Sequence, residues 1–377
     1  MREEMILTSK TFWFTMKSVQ NVLERPDNAS DHAHGGGFVA VTLRDVAEEV
    51  GVSITTVSRA LAGYDDVAES TRQRVIAAAS ELGYVPNITA RRLQKQRTDT
   101  LGFIIPTFGP RFSDPFFSEF IAGIGNTAAD HHLDLLVSTH PPDSERELDA
   151  YRRAARGGWV DGLIVVRTRE DDRRIELLCE NHFPFVAFGR TDSECHFPYV
   201  DEDSAAGMSL LVQHLIDRGH RRIGFIAPPP GLMFGRYRRQ SFLDTMQANG
   251  LEVRPEWVVE GDMTQRSGAE AVQKLLALSP RPTAIIGGND LMALGAMGAM
   301  QKAGMEIGRE MAVAGFDDIP PAAHAHPPLT TIRQPIYEIG QRTCEMLIAI
   351  VHGRKPENEH VLLTPTLVIR ESSGDPG

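Results

Sequence analysis

Four side chains in the run ITTVSRAL, Thr55, Thr56, Ser58 and Arg59, could contact nucleic acid. Their hydroxyls donate and accept hydrogen bonds, and a guanidinium offers a planar fork of donors. On an exposed helix face, these groups suit base edges and phosphates in a major groove. The spacing predicts such a helix, because Val57, Ala60 and Leu61 form an apolar stripe on its other side. Just upstream, Leu43, Val46, Ala47 and Val50 recur at i, i+3, i+4 and i+7, which predicts a first helix. Thr42 with Asp45 three residues on reads as an N-cap with a capping-box variant. Gly51 permits a sharp turn, and Ser53 can cap the second helix. Residues 42–63 therefore read as a helix-turn-helix.

Many αα-hairpins share that outline, so the flanking sequence carries weight. A third amphipathic helix is expected over about residues 69–83, with Val75, Ala78, Ala79 and Leu82 inward. Tyr84-Val85-Pro86-Asn87 then ends it, since a residue before proline avoids helical geometry. A basic stretch, ITARRLQKQR at 88–97, leads on to a strand.

The 377 residues suffice for two or more domains, and 42% hydrophobic content is ordinary for a globular chain. Net charge is −11, which argues against a protein that coats nucleic acid generally. Residues 41–98 hold eight basic side chains against seven acidic ones, while residues 1–40 sum to −1 and the remainder to −11. A near-neutral head on an acidic body fits local DNA attraction, and the body's acidity weakens non-specific binding. Cys179, Cys195 and Cys344 are odd in number, lack zinc spacing, and read as reduced thiols of a cytoplasmic protein. No apolar run approaches membrane-span length, and MREEMILTSKTFWF makes a poor signal peptide. Residues 1–40 read as a disordered extension without chemistry. His32 and His34 lack further metal ligands, and the HGGG at 34–37 has no GxSxG elbow to serve.

After residue 99, short apolar strands alternate with helical patterns. Candidates are 101–106, 133–138, 162–167, 185–188, 223–227, 284–287 and 313–316, implying βαβ units and parallel sheet. Ligands in such folds bind beyond the carboxyl ends of strands. Asp114, Phe116, Phe117, Arg190, Arg238, Asn289, Asp290 and Asp317 fall at or near those places. Carboxylates and guanidinium groups can each contact two hydroxyls of a sugar, and aromatic faces cover the apolar side of a pyranose.

The order DVAEEVGVS, TVSRALAG, STRQRV, ELGYVPN, ARRL resembles the head and hinge of the lactose-repressor (LacI/GalR) family of bacterial transcription regulators. The resemblance runs on to Arg370. It implies an all-α helix-turn-helix head at 41–86, a hinge helix or linker at 87–98, and a two-lobed, periplasmic-binding-protein-like α/β sensor domain at 99–377. The implied DNA-contact set is Leu43, Arg44, Ser53, Ile54, Thr55, Ser58, Arg59, Thr71, Tyr84, Asn87, Ala90, Arg91 and Leu93. Ile54 and Thr55 hold operator-reading positions, and Leu93 matches the leucine that wedges into the minor groove. The implied effector set is Asp114, Phe116, Phe117, Arg190, Arg238, Asn289 and Asp317, with Arg238 and Asp317 gripping the effector in many relatives.

Departures from the family pattern are Ala62 for the usual Asn, acids at Asp65 and Asp66, and Asp114 where Asn is usual. Met263 stands where some relatives carry a large aromatic, which favours a sugar over a flat heterocycle. FVAFGR resembles regulators of maltose or α-glucoside use. The resemblance further implies a homodimer on pseudo-palindromic operator DNA, with no leucine heptads after Arg370 for a tetramerisation tail, and no cofactor, metal or membrane partner. A transport binding protein of the same fold would need an export signal and no head. An enzyme would need more than the lone Gly123-Ile124-Gly125, which sits in a helical pattern.

Overall fold

A computed structural model describes residues 41–61, 63–84, 97–107 and 114–374. The sequence expectations for residues 1–40, Ala62, and Asn87, Ala90, Arg91 and Leu93 lie outside the described residues. The chain divides into two compact units, Met1–Ile88 and Thr89–Gly377.

The first unit holds α1 (Leu43–Val50), α2 (Ile54–Leu61) and α3 (Glu69–Glu81). Thr42 caps α1 in a reciprocal box: its hydroxyl accepts from the Asp45 amide at 3.4 Å, and Asp45 accepts from the Thr42 amide at 2.7 Å. Gly51 ends α1 at φ 71°, a left-handed conformation that a β-carbon would oppose. Ser53 accepts from the Thr56 amide at 3.0 Å and starts α2. Val46, Val50, Val57, Ala60, Val75 and Ala78 meet in one small core, joined by Val67 from the loop before α3. Leu82, expected to point inward, is exposed because α3 stops at Glu81 and leaves it at the C-cap.

The second unit is built on two six-stranded sheets. The first takes β1 (Thr100–Pro106), β2 (Asp134–His140), β3 (Gly162–Val166), β4 (Phe185–Phe188), β5 (Tyr199–Glu202) and β11 (His360–Leu363), in the order β11-β5-β4-β3-β1-β2, all parallel. The second takes β6 (Ile223–Ala227), β7 (Val258–Glu260), β8 (Ala284–Gly287), β9 (Ala312–Asp317), β10 (Thr330–Arg333) and β12 (Thr366–Val368), in the order β12-β10-β9-β8-β6-β7. Only β12 runs antiparallel to its neighbour. The continuous apolar run of β3, GLIVV, is buried throughout, as expected of a strand covered on both faces. The second strand begins a residue later than its sequence pattern suggests and forms an exposed edge.

Helices cover the sheets: α4 (Pro115–Asp130), α5 (Glu145–Gly157) and α6 (Arg173–Glu180) in the first lobe, with α7 (Ser204–Asp217), α8 (Met233–Ala248), α9 (Gln265–Leu276), α10 (Asp290–Lys302) and the short α11 (Pro320–His324) in the second. The chain leaves the first lobe after β5 and returns through α12 (Ile336–Val351), which packs on α4. It crosses once more between β11 and β12. Gly123 lies at the contact of α4 with α12, where a β-carbon would strike the Tyr337 carbonyl, and a β-carbon on Gly340 would strike the Phe120 carbonyl. Gly123 and Gly340 thus serve close helix packing, and Gly123 lies within a helix as its sequence pattern indicates.

The thiol expectation is corrected in part. Cys179 and Cys195 are joined in a disulfide, while Cys344 is free and buried in the first-lobe core. The two lie 16 positions apart along the chain, so spacing gave no sign of the bond. Folding of β4 between the two cysteines brings them together.

Candidate functional site

The ends of five strands and the starts of two helices meet between the lobes around a narrow cavity of ≈ 50 Å³. In the first lobe, order β2-β1-β3 reverses direction at β1/β3, the topological switch point where α/β proteins place ligands. Asp114 follows β1 and caps α4, accepting from the Phe116 amide at 3.2 Å, while Arg167 follows β3. The two pair at 2.9 Å, and the guanidinium lies over the Phe117 ring at 5.0 Å. Phe116 stacks on Phe188 at 5.8 Å and 12°, giving this lobe an aromatic wall. Arg190 pairs with Asp201 at 2.7 Å and covers the Tyr237 ring at 4.6 Å.

The opposite wall centres on Arg238 of α8, which is 3% exposed. Its side chain donates to Glu202 at 3.1 Å, to Ser204 at 3.1 Å and to the Gly288 carbonyl at 2.7 Å. It also stands over Phe316 at 3.6 Å from the centroid and lies 3.9 Å from Asp317. Gln334 donates to Asp317 at 2.6 Å. Two buried acceptors, Glu202 Oε2 and Gln334 Oε1, have no donor among the described residues. Backbone strain gathers here: Arg167, Met263 and Asp317 hold positive φ of 51°, 69° and 128°. A backbone clasp joins the lobes at the rim, with the Glu170 amide donating to the Gly231 carbonyl at 2.9 Å and the Met233 amide to Thr168 at 2.9 Å.

Burial pushes the Asp317 carboxyl well above the carboxylate range; the charges of Asp290 and Asp114 act in the same direction, against Arg238 and Gln334. Asp114 is raised by burial against the pull of Arg167. Asp201 is pushed up to about 6 by burial and by its neighbour Glu202. Several carboxylates in so small a volume compete for few cations.

Of the expected effector residues, Asp114, Phe116, Phe117, Arg190, Arg238 and Asp317 line the cavity, as does Met263. Asn289 does not. Its side chain is fully buried, accepting from the Met292 amide at 3.0 Å to cap α10 and donating to the Met263 carbonyl at 3.2 Å. Asp290 also stays off the wall, accepting from Thr331 and the Ile319 amide. Sequence reasoning missed Arg167, Phe188, Asp201, Glu202, Phe234 and Gln334. The acid pair ending β5, YVDE, was the available signal, but the strand is short and weakly apolar.

The helix-turn-helix unit presents Arg44, Ser53, Ile54, Thr55 and Arg59 exposed, with Leu43, Ser58, Thr71 and Tyr84 partly so. Thr56, expected outward, is partly buried and bonded to Ser53 at 2.8 Å. Ile54 is 44% exposed, an apolar side chain on an otherwise polar face. Arg59 pairs with Asp66 at 2.5 Å and lies over Tyr64 at 5.1 Å. Arg72 and Arg74 donate instead to the carbonyls of Tyr64 and Val50.

A helix-turn-helix unit followed by a two-lobed body with a cleft at the strand ends defines a class of regulatory proteins, and comparison with known proteins agrees. Residues 42–87 match the lacI family of bacterial regulatory proteins, and residues 212–373 match the periplasmic binding protein-like domain. The chain is 34% identical over 335 residues to the HTH-type transcriptional regulator CelR of Thermobifida fusca, covering 88% of this chain and 98% of that protein. Its fold is similar to a CelR–cellobiose complex, at TM-score 0.69 and 33% identity, covering 88% of this chain and 99% of that one. It is also similar to the lac repressor dimer bound to operator and the anti-inducer ONPF, at TM-score 0.79 and 28% identity, covering 89% and 99%. The chain belongs to the lacI family. Its relatives are transcriptional regulators rather than enzymes, and no described helix is long and apolar enough to cross a membrane.

Proposed function

We propose that this protein is a cytoplasmic, dimeric repressor whose affinity for a pseudo-palindromic operator is set by a sugar, with an α-glucoside as the first candidate. The observation that carries the effector class is the pair of donor-less acceptors, Glu202 Oε2 and Gln334 Oε1, in a cavity with an aromatic wall and paired charges. A buried acceptor without a donor costs about 1–3 kcal/mol, which a sugar hydroxyl can offset. Arg238, Asp317, Asp114 and Arg190 then orient hydroxyls, while Phe116 and Phe117 cover a ring face. Relatives support the class, since one of them is seen with cellobiose.

On the DNA side, Ile54 and Thr55 touch base edges and Arg59 takes a guanine or a phosphate. An exposed ion pair such as Arg59–Asp66 is worth little, so exchanging Asp66 for a phosphate is inexpensive. Leu43, Arg44, Ser53, Ser58, Thr71 and Tyr84 support that contact, and Asn87, Ala90, Arg91 and Leu93 are further candidates for DNA contact. Sugar entry into so narrow a cavity requires the clasp at Thr168–Glu170 and Gly231–Met233 to open and re-form. Operator and sugar must then alter each other's affinity by the same factor.

Genomic fragments selected on the purified protein, with and without maltose, trehalose or cellobiose, test both halves. Expected is a pseudo-palindromic site whose capture responds to one sugar and is lost in Arg59→Ala. Calorimetric binding of a sugar with no fragment enriched in any condition would overturn the repressor reading in favour of a plain sugar-binding protein.

A further inference from the structure

The first lobe carries a second hollow, of ≈ 550 Å³, away from the cleft, between the end of α6 and the loop that precedes β5. Cys179 and Cys195 stand in its wall beside His182, Phe183, His196 and Phe197. Both cysteines are partly exposed, their Cα atoms lie 6.6 Å apart, and their sulfurs are bonded. The covalent ring they close contains β4, which ends at Phe188, and then Gly189 and Arg190, so that three of its residues belong to the cleft wall. The segment between Arg190 and Phe197 is otherwise held by surface contacts, among them His196 with Glu359 at 3.2 Å and with the His360 ring at 4.8 Å. Thr191 donates to the Glu170 carbonyl at 3.1 Å, and Asp192 meets Arg236 at 2.5 Å. The Ser193 and Cys195 amides donate to neighbouring hydroxyls at 3.3 and 3.2 Å. That ion pair is exposed on both sides and so contributes little. Core packing resumes only at Phe197, which is buried and stacks on Phe185 at 5.7 Å.

We infer that Cys179 and Cys195 form a reversible redox-modification site, oxidised by low-molecular-weight disulfides, that sets how firmly the Phe188–Arg190 wall of the cleft is held. In the forward step one cysteine thiolate attacks the small disulfide, its own proton passing to the leaving thiol. The second cysteine then attacks the mixed disulfide, forming the Cys179–Cys195 bond and releasing the other small thiol with the second proton. Two cysteine sulfurs are oxidised and one small disulfide is reduced to two thiols. An excess of small thiol reverses the sequence. The hollow gives such a molecule access to both sulfurs, whereas Cys344 is buried and stays reduced. Nothing in this step depends on which ligand the cleft takes.

Full-length protein equilibrated with either oxidised glutathione or dithiothreitol, then alkylated under denaturing conditions, reports the state directly. One free thiol per chain is expected after the disulfide and three after the dithiol, with peptide mapping joining Cys179 to Cys195. Hydrogen–deuterium exchange of the same samples should show amides at 188–195 at least about tenfold slower in the oxidised chain, within the roughly hundredfold that closing a ring of this size allows. Cys179→Ser and, independently, Cys195→Ser should exchange at the reduced rate in both buffers. Three free thiols after oxidised glutathione, or equal exchange at 188–195 in the two states, overturns the proposal.

Discussion

Two arginine–carboxylate clusters lie buried in the body, and they differ in one respect. Around Arg174, which is 1% exposed, all four carboxylate oxygens of Glu147 and Asp172 accept hydrogen bonds. Around Arg238, one oxygen of Glu202 accepts from the guanidinium and from Ser204 while the other accepts from nothing described. Burial is alike in both, and each pairs two carboxylates with arginine. The first cluster pins α5 to α6 with every carboxylate oxygen taken; the second lines a cavity and keeps carboxylate and amide acceptors in reserve. Buried charge alone therefore marks a site poorly, whereas a buried acceptor awaiting a donor marks it well.

The comparison breaks first at Arg174. Replacing it with Met takes from Asp172 its main cation and leaves Glu147 with Arg169, and a loss of about 3–5 kcal/mol in denaturant unfolding is expected. If Arg174→Met unfolds at the wild-type midpoint, the cluster is not the structural pin described here. Glu202→Gln sharpens the other side. It keeps the side-chain shape but removes the charge, so effector affinity, measured calorimetrically with whichever sugar binds, should fall roughly tenfold, one charged hydrogen bond being worth about 1.5–3 kcal/mol. Its unfolding midpoint should move less than that of Arg174→Met; the reverse ranking would make Glu202 structural.

A third buried acid tests the rule at smaller scale. Asp290 accepts from Thr331 at 2.5 Å and from the Ile319 amide at 2.9 Å, and burial raises it from the ordinary 3.8 to about 7. The folded chain thus holds this proton more tightly than the unfolded chain does. The associated stability is full below the ordinary carboxylate range and is lost as pH rises through about 7. Melting temperature should therefore drop from about pH 4 to about pH 7 and level off above that, by about 2–4 °C for each kcal/mol involved in a domain of 150–250 residues. Asp290→Asn should flatten that slope, and an unchanged slope would assign it to other groups.

The helix-turn-helix unit was legible almost residue by residue. Its signals are local: the apolar spacing of α1 and α2, the box at Thr42 and Asp45, and Gly51 at the turn all act within one or two turns of helix. Leu82 escaped because helix termination depends on a single residue at the boundary. Seven of the parallel strands, β1, β2, β3, β4, β6, β8 and β9, were equally visible as apolar runs, whereas the shorter β5, β7, β10 and β11 were not. Asp114, Arg190 and Asp317 could be placed on the cavity because ligand sites follow strand ends in this architecture, and Arg238 through the family resemblance.

What sequence could not supply was the pairing of distant groups. Arg167 faces Asp114 across 53 residues, Arg238 meets Glu202 across 36, and Gln334 reaches Asp317 only because β10 runs beside β9. Asn289, plausible at its strand end, was claimed by the cap of α10 and the Met263 carbonyl. Cys179 and Cys195 read as separate thiols until β4 folded between them. Sequence by itself determined the helices of the first unit and the apolar core strands of the second, since periodicity and capping act over a few residues. Which acids are satisfied, which acceptor is left open and which cysteines meet were decided by tertiary structure, because burial and hydrogen-bond saturation are properties of neighbours brought together in space.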